Sequence, residues 1–156
     1  MTRESATVIT GVPVSSSGTR REPTARPRIL VIDPDRVTAR TFQLTLRRRG
    51  FDVKVAHDGL QALHAMGRQR PDLVVMDLRL PLVAGVDVLR ELRIGDAGMT
   101  TPVVVYTAED PETVRRITRD CPPDALVRKP APARHIITRI EALLAAADRG
   151  PGRFDG

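Results

Sequence analysis

Four polar residues stand at the ends of short apolar runs. Asp33 follows Ile29–Ile32, Asp77 follows Leu73–Met76, Thr107 follows Val103–Tyr106, and Lys129 lies just beyond Ala125–Val127. Two carboxylates, a hydroxyl and an ammonium are complementary in charge and in hydrogen-bonding capacity. One polar residue at the wet end of a strand needs no explanation. Four of complementary chemistry on one edge point to a small polar pocket.

The elements that must position them alternate two periods. The apolar runs above, with Val53–Val55, are rich in β-branched residues and too short for helices. Most are apolar on both faces, as strands covered by helices on both sides must be. Helical spacing falls between them. Val37, Thr41 and Leu44 lead to Gly50, a natural residue just past a helix end. Asp58 is placed to cap a helix carrying Leu60, Leu63, Ala65 and Met66. Val86, Leu89 and Leu92 follow Gly85, and Asp110 with Pro111 starts a helix bearing Val114 and Ile117. Ile136, Ile137, Ile140, Leu143 and Leu144 form the last apolar stripe. The resulting βαβαβαβαβα order predicts an α/β fold with a five-stranded parallel sheet. Right-handed crossovers and the common order 2-1-3-4-5 make the strands bearing the four residues contiguous.

Residues 1–27 read as a disordered N-terminal tail, 28–148 as one folded domain, and 149–156 as a short C-terminal tail. The composition excludes several classes. Apolar residues make up 41% and charged residues 28%, which fits a globular chain rather than a collagen-like one. Three Phe, one Tyr and no Trp argue against a base-stacking nucleic-acid platform. One cysteine, Cys121, excludes an internal disulfide and suggests a reducing compartment. No apolar run approaches the roughly 18 residues of a membrane span, and Val8, Ile9, Val12 and Val14 are too interrupted for a signal peptide. Half of the net charge of +6 lies in the expected tails, which weakens a polyanion-binding reading. Nucleic acid and membrane are therefore not expected as partners. The chain has only two lysines, Lys54 and Lys129. One of them, Lys129, is the ammonium at the expected strand-end pocket, in a chain that otherwise uses arginine.

The segments RILVIDPD at 28–35, PDLVVMDLRLPLVAG at 71–85, PVVVYTA at 102–108 and DALVRKP at 124–130 resemble the receiver domain of bacterial two-component response regulators, the CheY-like family. Intervals of 44 residues from Asp33 to Asp77, 30 to Thr107 and 22 to Lys129 suit its pattern. The resemblance implies a flavodoxin-like three-layer sandwich. It also implies a single-domain response regulator in a phosphorelay, since only eight residues follow the last expected helix. Asp77 would be the phosphoacceptor. Asp33, Asp77 and the main-chain carbonyl of Arg79 would hold Mg²⁺. Thr107 and Lys129 would contact the phosphoryl group, and Glu109 would sit on the pocket rim. Pro81 and Gly85 match the family's turn after the acceptor. Pro130 matches its Lys–Pro bond, usually cis, which aims the lysine into the site. The implied partners are a histidine kinase or phosphotransfer protein and an unknown downstream protein, in the cytoplasm. The chain would not be an enzyme in the usual sense, although it would promote its own phosphoryl transfer and hydrolysis.

Two positions depart from the pattern. Pro34 stands where the family usually has a second acidic residue, its principal direct metal ligand, so Mg²⁺ binding should be weakened. Asp35, one residue on, reads as a helix cap. Leu126 stands where a Tyr or Phe usually reports phosphorylation. Both departures support an alternative: a pseudo-receiver interaction module that is not phosphorylated. Arg79 and Glu109 either pair across the pocket mouth or remain two solvated charges of little energetic value. His57, His64 and His135 have no metal-site spacing. Arg115, Arg116, Arg119, Arg128, Arg134 and Arg139 lie on the fourth helix, fifth strand and fifth helix. That face is either a homodimer contact or simply solvated.

Overall fold

The computed structural model describes residues 25–94 and 101–148. The expected tails, apart from residues 25–27, lie outside the described residues. The elements run β1 (Arg28–Ile32), α1 (Arg36–Arg48), β2 (Asp52–Ala56), α2 (Gly59–Arg68), β3 (Leu73–Met76), α3 (Gly85–Ile94), β4 (Val103–Thr107), α4 (Pro111–Ile117), β5 (Ala125–Arg128) and α5 (Ala133–Asp148). All strand pairings are parallel, in the order β2-β1-β3-β4-β5. The five-stranded parallel sheet expected from the alternation is therefore present. β4 ends at Thr107, as expected, whereas Asp33 and Asp77 are the first residues beyond β1 and β3.

The period of two along each strand sorts the core into two layers. Ile29, Val31, Leu73, Val75, Val104 and Tyr106 pack with Phe42 and Leu46 of α1 and with Ile136 and Ile140 of α5. Leu30, Ile32, Val74, Met76, Val103 and Val105 pack with Ala62 of α2, Val88, Leu89 and Leu92 of α3, and Val114 of α4. Both faces of the sheet are buried, which is why β3 and β4 consist almost entirely of apolar residues.

The helix ends are set by local chemistry. The Asp35 carboxylate accepts from the amides of Val37 and Thr38, Asp58 accepts from Gln61, and Asp110 accepts from Thr113. At the end of α1, Gly50 adopts φ 92 and donates to Arg47 O, while Phe51 donates to Leu46 O. This is a Schellman closure, and it requires the left-handed conformation that glycine adopts without penalty. Gly85 serves packing instead. A Cβ there would lie 2.5 Å from Leu78 Cα and 2.9 Å from Asp77 O, so only glycine lets α3 start against the end of β3. At the opposite edge of the sheet, Arg93 of α3 donates to Thr101 O, Pro122 O and the Asp124 carboxylate, tying α3 to the starts of β4 and β5.

Candidate functional site

The carboxyl ends of β1, β3, β4 and β5 bring Asp33, Asp77, Thr107 and Lys129 into one pocket. β1 and β3 are neighbours, and Asp77 N donates to Ile32 O at 2.9 Å, which sets the two aspartates side by side. β5 is two strands from β3. The lysine bridges that gap over β4, and its main-chain N–H donates to Thr107 O at 2.8 Å. The Lys129–Pro130 peptide bond is cis.

The Lys129 Nζ donates to Asp33 Oδ2 and to Asp77 Oδ2, each at 2.8 Å. Both carboxylates are buried, and the lysine side chain is 19% exposed. Asp33 Oδ1 accepts from the Asp35 amide at 2.8 Å. Asp77 Oδ1 accepts from the Thr107 hydroxyl at 2.7 Å and from the Arg79 amide at 3.1 Å. No buried side-chain polar atom among the described residues lacks a partner. Burial pulls the Lys129 pKa down, but hydrogen bonds to Asp33 and Asp77, together with their charges, outweigh it. The ammonium is held above the usual lysine value.

Arg79 and Glu109 do meet at the mouth: Arg79 Nε donates to Glu109 Oε2 at 3.1 Å. The Arg79 bond and the Asp110 amide together lower the Glu109 pKa. Glu109 N in turn donates to Thr107 Oγ1 at 3.3 Å, so the rim and the pocket hydroxyl share one chain of contacts. Pro81 and Gly85 bracket the loop that follows Asp77. Pro81 O accepts from Gly59 of α2 at 3.1 Å, and Gly85 N donates to Leu78 O at 3.2 Å.

The donor set suits a hard divalent cation. Two buried carboxylates carry two formal negative charges against one from Lys129, and the Arg79 carbonyl follows in the adjacent loop. Mg²⁺ bound by one or two carboxylates and otherwise by waters needs no more than this. The set is also thin. Pro34 contributes no ligand, and the Asp35 carboxylate is committed to the α1 amides. Among the described residues no group of three or more His, Cys, Asp or Glu converges.

Three further residues touch this region and carried no role in the sequence reading. His57 Nδ1 lies 3.1 Å from Asp33 O; a carbonyl only accepts, so this nitrogen must be the protonated one. A Cβ on Gly59 would collide with Val83, which makes Gly59 the contact point between α2 and the Pro81 loop. Tyr106 lies beneath the Lys129 ammonium, 5.2 Å from its ring centroid. Its signal in the sequence was its position: the only tyrosine, directly before Thr107.

Residues 29–141 match the model of the response regulator receiver domain family. The DNA-binding response regulator MtrA of Mycobacterium bovis is 39% identical over 131 residues, covering 84% of this chain and 56% of MtrA. The chain thus spans about half the length of such relatives. Among solved structures, the receiver domain of a Francisella response regulator aligns with a TM-score of 0.70 at 27% identity, covering 78% of this chain and 99% of that one. The receiver domain of sensor histidine kinase PA1611 from Pseudomonas aeruginosa, which has a magnesium ion coordinated in its active-site cleft, aligns with a TM-score of 0.69 at 26% identity, covering 78% and 99%.

Proposed function

The chain belongs to the response regulator receiver domain family of two-component systems, and from that footing we propose that it is a switch phosphorylated on Asp77. The observation that carries this is the pairing of Asp77 with both a bridging ammonium and a buried hydroxyl. A carboxylate is a competent nucleophile toward phosphorus once charge repulsion is relieved. Phosphoryl transfer asks the protein for positioning and electrostatics more than covalent chemistry.

In this reading an Asp77 oxygen attacks the phosphorus of a phosphohistidine on a histidine kinase or phosphotransfer protein. The O–P bond forms, the N–P bond breaks, and the histidine nitrogen keeps the electron pair and takes up a proton. Lys129 moves from Asp77 Oδ2 to a phosphoryl oxygen. Thr107, whose hydroxyl already faces Asp77, donates to another. Asp33, Asp77 and the Arg79 carbonyl would hold Mg²⁺, which supplies positive charge to the transferring oxygens. The reaction modifies the chain itself rather than turning over an external substrate. Residues 28–148 are the unit that carries it, signalling through contacts with a downstream protein. No helix among the described residues is long and apolar enough to cross a membrane, and a cytoplasmic location accords with partnership with a kinase.

The test is labelling with acetyl phosphate, or Mg²⁺-dependent binding of beryllofluoride, in the wild type and in Asp77→Asn. Label on the wild type that is lost in Asp77→Asn is expected. An inert wild type would favour the unphosphorylated interaction module, and label surviving Asp77→Asn would overturn the site assignment.

A further inference from the structure

Lys129 can bridge Asp33 and Asp77 only by passing over β4, and the side chain beneath it there is Tyr106. Tyr106 points to the α1 and α5 side of the sheet, as do Ala125 and Val127 of β5. Lys129 continues the parity of those two residues, so its stem leaves β5 on the side where the tyrosine ring lies. The ammonium sits 5.2 Å from the ring centroid, within the range at which the negative ring face attracts a cation. On its other side the ring packs against α1, where Phe42 meets it edge-on with centroids 5.5 Å apart. Its hydroxyl lies between the Ala131 amide, at 3.4 Å, and the Ala131 carbonyl, at 3.5 Å. With Lys129 N bonded to Thr107 O, two consecutive residues of β4 grip the segment from Lys129 to Ala131 at its main chain, at its ammonium and at its loop.

We propose that Tyr106 is the positioning residue for Lys129, its ring steering the ammonium over the carboxylate pair. The proposal rests on the phosphoryl-accepting reading for its consequence. When the ammonium is drawn to a phosphoryl oxygen on Asp77, the ring changes environment with it. Leu126 packs on the opposite layer, so in this chain the aromatic group coupled to the pocket faces α1 and α5.

Two lysines and one tyrosine make the contact directly observable. In NMR spectra of the full chain, the Lys129 Hε resonances are expected upfield of those of Lys54 because of the Tyr106 ring current. The shift should persist in Tyr106→Phe and vanish in Tyr106→Leu. Beryllofluoride affinity, measured with Mg²⁺ by calorimetry, should fall about fivefold in Tyr106→Leu and stay within roughly twofold of wild type in Tyr106→Phe. Phe42→Leu, which loosens the same aromatic pair without touching Lys129, should lower the melting temperature and leave that affinity unchanged.

Unshifted Lys129 resonances in the wild type would overturn the proposal without the need for any variant. So would a Tyr106→Leu protein that binds as tightly as wild type, or a Phe42→Leu protein weakened as much as Tyr106→Leu. A wild type that does not bind beryllofluoride would instead remove the phosphoryl-accepting reading, and with it the consequence drawn above. The resonance comparison would still decide whether Tyr106 places the ammonium.

Discussion

Thr107 donates its buried hydroxyl to Asp77 Oδ1 at 2.7 Å, across the boundary between β4 and β3. The bond ties the candidate acceptor to the same strand end whose carbonyl receives the Lys129 amide. Any change in the charge on Asp77 is therefore felt at both partners at once.

Replacing Thr107 by valine keeps the shape and removes the donor. Asp77 Oδ1 then retains only the Arg79 amide. Folding stability should drop by about 1.5 kcal/mol, typical of a hydrogen bond to a charged group. Beryllofluoride binding should weaken, whereas Thr107→Ser should restore most of it. Equal affinities for Thr107→Val and wild type would show that the hydroxyl does not serve the bound anion.

Lys129→Met leaves two buried carboxylates facing each other without a counter-charge. A loss of about 3 kcal/mol is expected at neutral pH, as for a broken buried ion pair. Chemical denaturation of the variant beside the wild type measures the loss.

The ion pair should also give the wild type a pH trend in base. The Lys129 pKa is raised above its ordinary 10.5 in the folded chain. Its contribution is therefore complete below 10.5 and is lost as the pH rises through the higher folded value. The difference in stability between wild type and Lys129→Met should narrow above that pH. A constant difference would mean that the ammonium contributes nothing through its charge.

Gly85→Ala forces a methyl group into the backbone of Leu78. The neighbour is main chain and cannot rotate away, so a cost of about 1–3 kcal/mol is expected. The displaced Asp77–Leu78 segment should also weaken beryllofluoride binding. Gly67→Ala, where nothing lies within 4 Å of the new Cβ, provides the control and should not lose stability.

The Arg79–Glu109 pair is largely solvent-exposed on the arginine side, so Glu109→Ala should leave the melting temperature unchanged. If the proposed phosphorylation of Asp77 holds and the pair closes the mouth to water, its effect should appear in the lifetime of the phosphoryl group. Decay measured after acetyl-phosphate labelling should be faster in the variant; an unchanged rate would sink the idea.

Much of the molecule is legible in its sequence, because its determinants are local. The caps at Asp35, Asp58 and Asp110 and the closure at Gly50 depend on residues within a few positions of one another. The apolar runs of β3 and β4 and the helical stripes between strands dictated parallel strands covered on both faces, and the strand order then put Asp33, Asp77, Thr107 and Lys129 on one edge. Other relationships could not be read this way. Asp33 and Lys129 are 96 positions apart, and Arg79 and Glu109 are 30 apart. Whether such charges meet depends on sheet register and loop path, and sequence spacing left the Arg79–Glu109 pair open in both directions.

The sequence by itself determined that Asp33, Asp77, Thr107 and Lys129 stand at strand ends, since alternation and helix capping are enforced by neighbours along the chain. Only the tertiary structure decided how those groups divide their contacts. It placed one ammonium on both carboxylates, the Thr107 hydroxyl on Asp77 and the Tyr106 ring under Lys129. Those choices follow from strand spacing and from which face of β4 each side chain leaves, quantities that exist only once the five strands are side by side.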